Sequence, residues 1–572
     1  MTRTFVPYPF EPVHHPARRP ALQDGVELSR HAVVIVGGGP VGLCVALGLA
    51  AHGVKSVLLE ADESVCAGSR AICISRRSLE IVDRLGALPG FLAIGLPWTG
   101  GRSFYRDAEV LHFRMPADPQ QKLPPMINLA QYHIEQILLE RAEQLREWID
   151  IRWQTRVTAL AAREDGNTLE VETPAGGYAL HADWVVACDG GRSFVREQLG
   201  LKMQGTSYEG RYVIVDIRLP SERPAERLAY FDPPCNPGST VLVHKQPHDV
   251  WRIDYQLRDG EDPDEAVRPE NVIPRVASLL EMIGERSEWA PIWISMYKAN
   301  ALTLPRYRER RVLFAGDAAH LMPIFGVRGA NSGIDDADNL AWKLAFVVKG
   351  LAGLPLLDTY STERVAAAHE NLAHGMKSTE FMAPPTRAFE LLRTAVLGLA
   401  VRHPEVRSLI NPRQTSAIAY EGSPLNACAR RSAAFRAGPV PGQVLPEAPL
   451  RLTPPGLPSR HGHLTDLLAP GFVALWLTDA GATPAALRAW VQSLVARGVP
   501  AAARTIVREG RLGDAQDENG VAFEHLGAAP GTLILVRPDG HVMARWREVP
   551  LETALAEANA ALEPWLRDGV TA

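Results

Sequence analysis

The chain has 572 residues, 46% hydrophobic and 22% charged, with 60 Lys and Arg against 65 Asp and Glu for a net charge of -5. That length exceeds what one hydrophobic core organises, so two or three domains are expected, and the balanced charge excludes the basic footprint of a nucleic-acid binder. No run of about 18 apolar residues is available to span a membrane.

Residues 1–30, rich in Pro and Arg, predict an extension that either packs on the surface or is partly disordered. The six cysteines (Cys44, Cys66, Cys73, Cys188, Cys235, Cys428) form no CxxC pair, and with the scattered histidines they form no metal-ligand spacing. A metal-free protein of the reducing cytoplasm, without secretory signal or membrane anchor, is expected.

Residues 32–36 (AVVIV) are the short β-branched run that a buried parallel strand requires, and GGGPVG follows at once. LCVALGLAAHG predicts a helix stopped near Gly53, and KSVLLE a second strand, together a βαβ unit. Gly37, Gly39 and Gly42 stand at GxGxxG spacing: the first permits a tight turn, the second lets backbone approach a pyrophosphate, and the third lets helix and strand pack closely. With Pro40 they form the candidate phosphate turn, at a helix N-terminus whose N–H groups and dipole favour negative charge. Glu60 closes the second strand, where a carboxylate can accept both hydroxyls of an adenosine ribose and would repel a 2′-phosphate. The site is expected to hold FAD or NAD rather than NADP.

A second apolar strand, Val312 to Ala315, opens RVLFAGDAAHLMPIFGVRGANSGIDDADNLAWKLA, which ends in a helix with Leu340, Leu344 and Val347 at helical spacing. Alone, GDAAH reads as a strand-to-helix turn capped by Asp317. The whole stretch resembles the aromatic-ring hydroxylase family of FAD monooxygenases, whose pattern is GDAAHxxPPxxGxGxNxGxxDAxNLxWKL. Gly316, Asp317, His320, Pro323, Gly329, Asn331, Gly333, Asp336, Asn339, Trp342 and Lys343 are among the matching positions. The resemblance implies that Asp317 binds a ribityl hydroxyl. It also implies that the N–H groups of Gly329, Ala330 and Asn331 begin a helix whose positive end faces the flavin edge where charge develops on reduction. Three further segments agree: GSRAICISRRSLEIVDRLG, where Arg70 would reach the cofactor; NLAQYHIEQILLERA, where Gln131 would contact FAD; and WVVACDGGRSFVREQLG, where Asp189 and Arg192 would stand beside it. The sequence departs from the pattern at Ile324 for a proline, Val327 for a glycine and Arg328 for a common glutamine. Arg328 reads equally as a partner for an anionic substrate or as a solvated charge.

Between 205 and 300, RYVIVDIRL, STVLVHKQP and DVWRIDYQLRD alternate as strands of an antiparallel sheet that suits a cover for the flavin ring. Period-two geometry puts His244 and Gln246 on one face of their strand, and Arg252 and Asp254 on one face of the next. These four line the substrate pocket if that polar face points inward; an outward, solvated face fits the pattern equally. His244 is the candidate base by its ordinary imidazole chemistry, and with Arg328 and Pro323 it completes the catalytic candidates. His320, though in the motif, reads as structural.

The fold class expected is α/β: a Rossmann-like FAD-binding domain (31–204 and 301–410), an antiparallel-sheet substrate domain (205–300), a linker (411–462) and a thioredoxin-like C-terminal domain (463–572). The last resembles the C-terminal domain of phenol-hydroxylase relatives, including their RPDG hairpin, and without CxxC it is expected to pack or to make a homodimer contact. The family implies FAD as cofactor, NADPH or NADH as a transient co-substrate and O2, with a flavin hydroperoxide hydroxylating a small aromatic substrate such as a phenol. Other readings of the same fold stay open: a halogenase, although WAPIWIS lacks the WxWxIP element, a reductase or dehydrogenase, and a flavin-binding protein without activity.

Overall fold

The computed structural model describes residues 3–567 except 69, 117, 259, 411–413, 428–434, 455, 480 and 509–512, and leaves out the side chain of Glu209. Cys428 and parts of the expected linker therefore lie outside the described residues; the five described cysteines are free thiols.

The first sheet is built on strands β1 (Val26–Val36) and β2 (Ser56–Leu59), which pair in parallel and are joined by helix α1 (Pro40–Ala51). Tyr178–Ala187 runs parallel to β1 on its other side, and Val312–Phe314 runs parallel to that strand in turn. Consecutive Val33, Val34 and Ile35 are all buried, which a strand achieves only when both of its faces are covered. Helices α2 (Arg76–Arg84) and α3 (Gln131–Glu143) follow.

The second sheet has eight strands and includes β3 (Thr240–Lys245) and β4 (Val250–Gln256), paired antiparallel. One face, with Val241, Val243, Trp251, Ile253 and Tyr255, packs on helix Pro269–Met282. The opposite face carries the polar set of the same strands. Two strands of this sheet come from the segment expected in the first unit: Gly100–Tyr105 and Ala108–Arg114 form a hairpin whose first strand pairs in parallel with Arg227–Phe231. The chain then returns to the nucleotide unit at Met126–Asn128. An excursion of this kind leaves no mark in local periodicity, because its pairing partner lies more than a hundred residues away.

Two long helices complete the first unit, α4 (Gly329–Val348) and α5 (Pro355–Met382). A Cβ placed on Gly48 of α1 would stand 2.6 Å from Ala341 Cβ of α4, so these helices touch backbone to side chain.

The third sheet has seven strands. Its central part follows the connectivity strand Phe472–Thr478, helix Ala485–Ala496, strand Ala501–Val507, helix Val521–His525, hairpin Thr532–Val536 and Val542–Trp546, and helix Leu551–Leu562. Pro449–Leu452 and Arg460–His463, two short stretches at the end of the expected linker, extend this sheet.

The turn between the two hairpin strands is driven into the first unit. Arg537 donates to both oxygens of Glu363 in α5, at 2.6 and 2.9 Å, and to Asp539 at 2.5 Å. Lys343 and Asn339 of α4 donate to Glu363 at 2.6 and 2.7 Å, Trp342 donates to Asp539 at 3.2 Å, and Arg77 of α2 donates to the Asp539 carbonyl at 2.8 Å. Lys343, Glu363, Arg537 and Asp539 are 0% exposed. Burial alone would raise the Glu363 pKa, but Arg537 and Lys343 hold it well below the usual carboxylate range; burial pulls Lys343 down to about 8. Charges this deep stay folded only as a complete set. Arg537→Ala removes the cation that serves two buried carboxylates, and a loss of about 3–5 kcal/mol is expected, read as a lowered midpoint in chemical denaturation; an unmoved midpoint would show that the hairpin is not a fixed dock.

Candidate active site

At the turn after β1, Gly37 has φ +105°, and a Cβ there would lie 2.4 Å from the Cys188 carbonyl oxygen. Neither a left-handed backbone nor that contact admits a side chain. A Cβ on Gly42 would lie 2.0 Å from the Gly37 carbonyl oxygen, which closes the turn onto the helix. Gly39 caps α1 in extended conformation with no side-chain acceptor, and Pro40 follows at the first helical position, so first-turn N–H groups are available to an anion. Glu60, at the end of β2, accepts from Gly38 N at 2.6 Å and Asp62 N at 2.9 Å. Burial pushes its pKa up and these amides oppose the shift. A cleft of about 660 Å³ continues from it, lined by Ala61, Asp62, Glu63, Cys66, Gln154 and Arg156 among others. Turn, acid and cleft fit a pyrophosphate followed by an adenosine.

The second motif stands against the first. A Cβ on Gly316 would lie 2.9 Å from Val41 Cγ2, and one on Gly333 would lie 2.6 Å from the same atom. The Val41 side chain, in the first turn of α1, therefore seats in a notch made by both ends of the second motif. Asp317 follows Gly316 and is solvent-exposed; desolvation by its surroundings nevertheless pushes its pKa up, with His320, Arg70 and Arg196 opposing. α4 begins at Gly329 with no side-chain cap, leaving the amides of Gly329 and Ala330 at its mouth. Asn331 presents only its backbone there. Its side chain accepts from Ser75 N at 2.9 Å and Ser78 Oγ at 2.7 Å, and donates to the carbonyls of Cys73 and Val327 at 3.1 and 2.7 Å. It is a strut between α4 and α2.

Gln131 accepts from Ala71 N at 3.1 Å and donates to Glu135 at 2.8 Å, while Glu135 accepts from Cys66 N at 2.6 Å. The pair holds the segment Cys66–Ala71 that carries the exposed Arg70. Glu135 is a site residue that sequence reading missed, although its i,i+4 spacing from Gln131 on a helix was the signal. The Asp189 carboxylate is taken up inside its own loop, by Ser193 Oγ at 2.6 Å and Val195 N at 3.0 Å. Arg196 joins that loop to the second motif through the Ala318 carbonyl at 3.1 Å, and Arg192 is exposed.

The polar face of β3 and β4 points inward: His244, Gln246, Arg252 and Asp254 are 7%, 2%, 3% and 7% exposed, which excludes the solvated alternative. Arg252 donates to Asp216 at 3.1 Å and to the Arg70 carbonyl at 2.9 Å. The N-terminal extension reaches the same carboxylate, since Tyr8 OH donates to Asp216 at 2.7 Å; Phe10 stacks on Tyr132 at 4.9 Å and His15 on Trp153 at 4.6 Å. The described part of the extension is thus a packed strap. His244 is a weaker base than its residue type suggests, because burial, Arg227 and Arg252 pull its pKa well below the ordinary imidazole value.

Arg328 is buried rather than solvated, donating to Asn371 Oδ1 at 2.8 Å and, at 3.4 Å, toward the Gln414 carbonyl. Pro323 is buried against α5, where a Cβ on Gly375 would lie 3.2 Å from its ring. Val327 takes φ +52°, so the valine at the family's glycine position keeps a left-handed backbone that strains a β-branched residue. His320 is internal, with Nε2 2.6 Å from Asp336 Oδ2. Arg227, unremarked in the sequence, donates to Gln414 Oε1 at 3.0 Å and its charge reaches both Cys73 and Asp254.

Two phosphate- and ring-binding turns locked against each other, with a buried polar wall opposite, define a flavoprotein site. The chain matches the FAD binding domain family over residues 30–374, and it belongs to the FAD-dependent aromatic-ring hydroxylases. It is 31% identical over 401 residues to the 3-(3-hydroxy-phenyl)propionate/3-hydroxycinnamic acid hydroxylase of Mycolicibacterium smegmatis, covering 68% of this chain and 70% of that one. The Escherichia coli protein of the same name is 30% identical over 403 residues, 69% of each chain. Among solved structures, the flavin-dependent monooxygenase PieE in complex with FAD and substrate aligns with a TM-score of 0.75 at 24% identity, over 94% of this chain and 100% of that one. The anhydrotetracycline hydroxylase OxyS of Streptomyces rimosus aligns with a TM-score of 0.68 at 27% identity, over 95% and 100%. FAD is the cofactor of this family. Gly37→Ala, which forces a Cβ into the Cys188 carbonyl, is expected to yield protein depleted of FAD, measured as the ratio of flavin to protein absorbance; a wild-type ratio would refute the assignment of this turn.

Proposed function

We propose that the chain is an NAD(P)H-dependent monooxygenase that places one oxygen atom of O2 on the ring of a phenolic substrate. The observation that carries the reading is the seating of Val41 against both Gly316 and Gly333, which joins a nucleotide turn and a helix N-terminus into one cradle for a single FAD. When bound and reduced, FAD supplies the electrons that activate O2. The chain's own part is to bind and orient. The N–H groups of Gly329, Ala330 and Asn331 meet negative charge at the ring edge, and Asp317 meets the ribityl chain. Cys73, Trp98 and Met126, with the partly buried Val327 and Phe113, form one apolar cluster, and Tyr212, Phe231, Leu242 and Phe325 belong to a second. Apolar surroundings of this kind suit the exclusion of water from an oxygenation site.

One fingerprint with a ribose-binding acid supports transient use of NADPH or NADH without a domain of its own. The relatives named above as hydroxylases of hydroxyphenylpropionate and hydroxycinnamic acid support a phenol as substrate. We read the third unit as thioredoxin-like from its strand and helix order, with its parallel pair followed by an antiparallel hairpin. The sequence holds no cysteine after Cys428, so that unit docks rather than exchanges thiols. Free thiols throughout the described residues support a reducing cytoplasm.

The test is oxidation of NADPH and NADH by the yellow holoenzyme across a panel of phenols that includes 3-(3-hydroxyphenyl)propionate. The expected result is stimulated oxidation and a product one oxygen heavier by mass spectrometry. Oxidation with a reduced, unoxygenated product would instead make the protein a reductase.

A further inference from the structure

β4 alternates strictly. Trp251, Ile253 and Tyr255 enter the core beneath the second sheet, and Arg252 and Asp254 face the other way. Register sets His244 and Asp216 beside Arg252, and Leu242 and Ile214 beside Asp254. Arg252 gives Nε to Asp216 and Nη1 to the Arg70 carbonyl, while its Nη2 is buried without a partner among the described residues. Asp254 has no protein donor at all among them. Its nearest ionisable contact is His244 Nε2 at 3.5 Å, too long for a useful hydrogen bond, and no described residue donates to its carboxylate. Nor are its oxygens sealed in protein. A buried carboxylate without a donor is costly, and a hydroxyl brought to this face of the sheet would supply the missing donor.

We propose that Asp254 accepts the proton of the substrate hydroxyl. This role rests on the phenolic reading above and names the residue that activates the ring. The substrate O–H bond breaks, its electron pair stays on oxygen as phenolate, and the proton passes to the carboxylate to give a carboxylic acid; charge is conserved and nothing is oxidised in the step. The phenolate makes the ring more electron-rich, as attack by an electrophilic oxygen requires. Arg227 is placed to stabilise that new anion: its side chain donates to Gln414, and among the described residues no carboxylate lies within ion-pair distance of it.

The charged and titratable groups around Asp254 are His244 from the adjacent β3, Arg227 opposite His244 on the strand beyond it, Asp216 and Tyr212 from Gln204–Arg218, and Arg252 on β4 itself. Burial pushes the Asp254 pKa up to about 6, with Arg252 and Arg227 pulling it down and Asp216 adding to the rise. The carboxylate is then ionised near neutral pH yet basic enough to take a proton, which suits a general base. His244 lies too low to compete for that proton.

Asp254→Asn keeps the shape and removes the base. In the holoenzyme, with 3-(3-hydroxyphenyl)propionate and the phenol panel as probes, the variant is expected to bind FAD normally and perturb its absorbance on adding phenol as wild type does. Its kcat is expected to fall by about 100-fold or more while KM moves far less. Wild-type kcat/KM is expected to rise with pH through an acid limb near the free-enzyme Asp254 pKa of about 6; Asp254→Asn loses that limb and His244→Gln keeps it. The deficit of Asp254→Asn is expected to shrink for ring-fluorinated phenols, whose hydroxyl ionises more readily. Retention of both kcat and the acid limb in a folded, FAD-loaded Asp254→Asn enzyme would overturn the assignment of Asp254 alone. A wild-type enzyme whose flavin no phenol perturbs and that oxygenates none of them would overturn the phenolic reading and this role with it.

Discussion

The contact on which the molecule depends is small: the branched side chain of Val41 lodged against two positions that tolerate no Cβ, Gly316 and Gly333. It fixes the start of α1 against the start of α4, and Gly48 against Ala341 repeats the close approach farther along the same two helices. The first turns of both helices, each without a side-chain cap, are thereby held next to one another. A cofactor long enough to span both ends needs that separation held within a fraction of an ångström. Helix packing through glycine and alanine supplies the rigidity because neither helix can slide without a steric clash.

The C-terminal unit is tied to the same two helices. Asn339, Trp342 and Lys343 belong to the motif that marks the flavin site, yet their side chains face away from it and receive the Arg537–Asp539 hairpin. Arg77 binds that hairpin from α2, whose N-terminus is in turn held by Asn331. Buried ion pairs are weak sources of net stability, but an incomplete set is severely unfavourable, so they specify one docking geometry. The third unit thus braces α2, α4 and α5 from the side opposite the second motif's turn.

Much of the nucleotide unit is legible in sequence because its determinants are local: a glycine whose φ is positive, an acid at a strand end, an apolar run of strand length. The second sheet is only half legible. Alternation reveals its strands and pairs His244 with Gln246 and Arg252 with Asp254, but period two cannot say which face is covered; that is settled by partners remote in sequence, among them the end of α5 at Met382 and the Arg70 carbonyl. The same remoteness hides Arg227 and the strand pairing of Gly100–Tyr105, each of which acquires meaning through a partner far along the chain. His244 shows the further limit. An imidazole has an ordinary pKa only in ordinary surroundings, and two guanidiniums plus burial remove its basicity in a way no motif records.

The polar wall is also where the strap acquires its sense. Tyr8 donates to Asp216, Asp216 holds Arg252, and Arg252 holds the Arg70 carbonyl, so one chain of hydrogen bonds runs from the N-terminal extension to the segment that flanks the cofactor cleft. Asp216 is fully buried, and without a donor on each oxygen it would carry the desolvation cost that Asp254 carries. The two aspartates on adjacent strands therefore divide the labour by their partners. The one bridged by Tyr8 and Arg252 is spent on architecture, and its neighbour, left without a donor, keeps the acceptor capacity that a reacting hydroxyl can use.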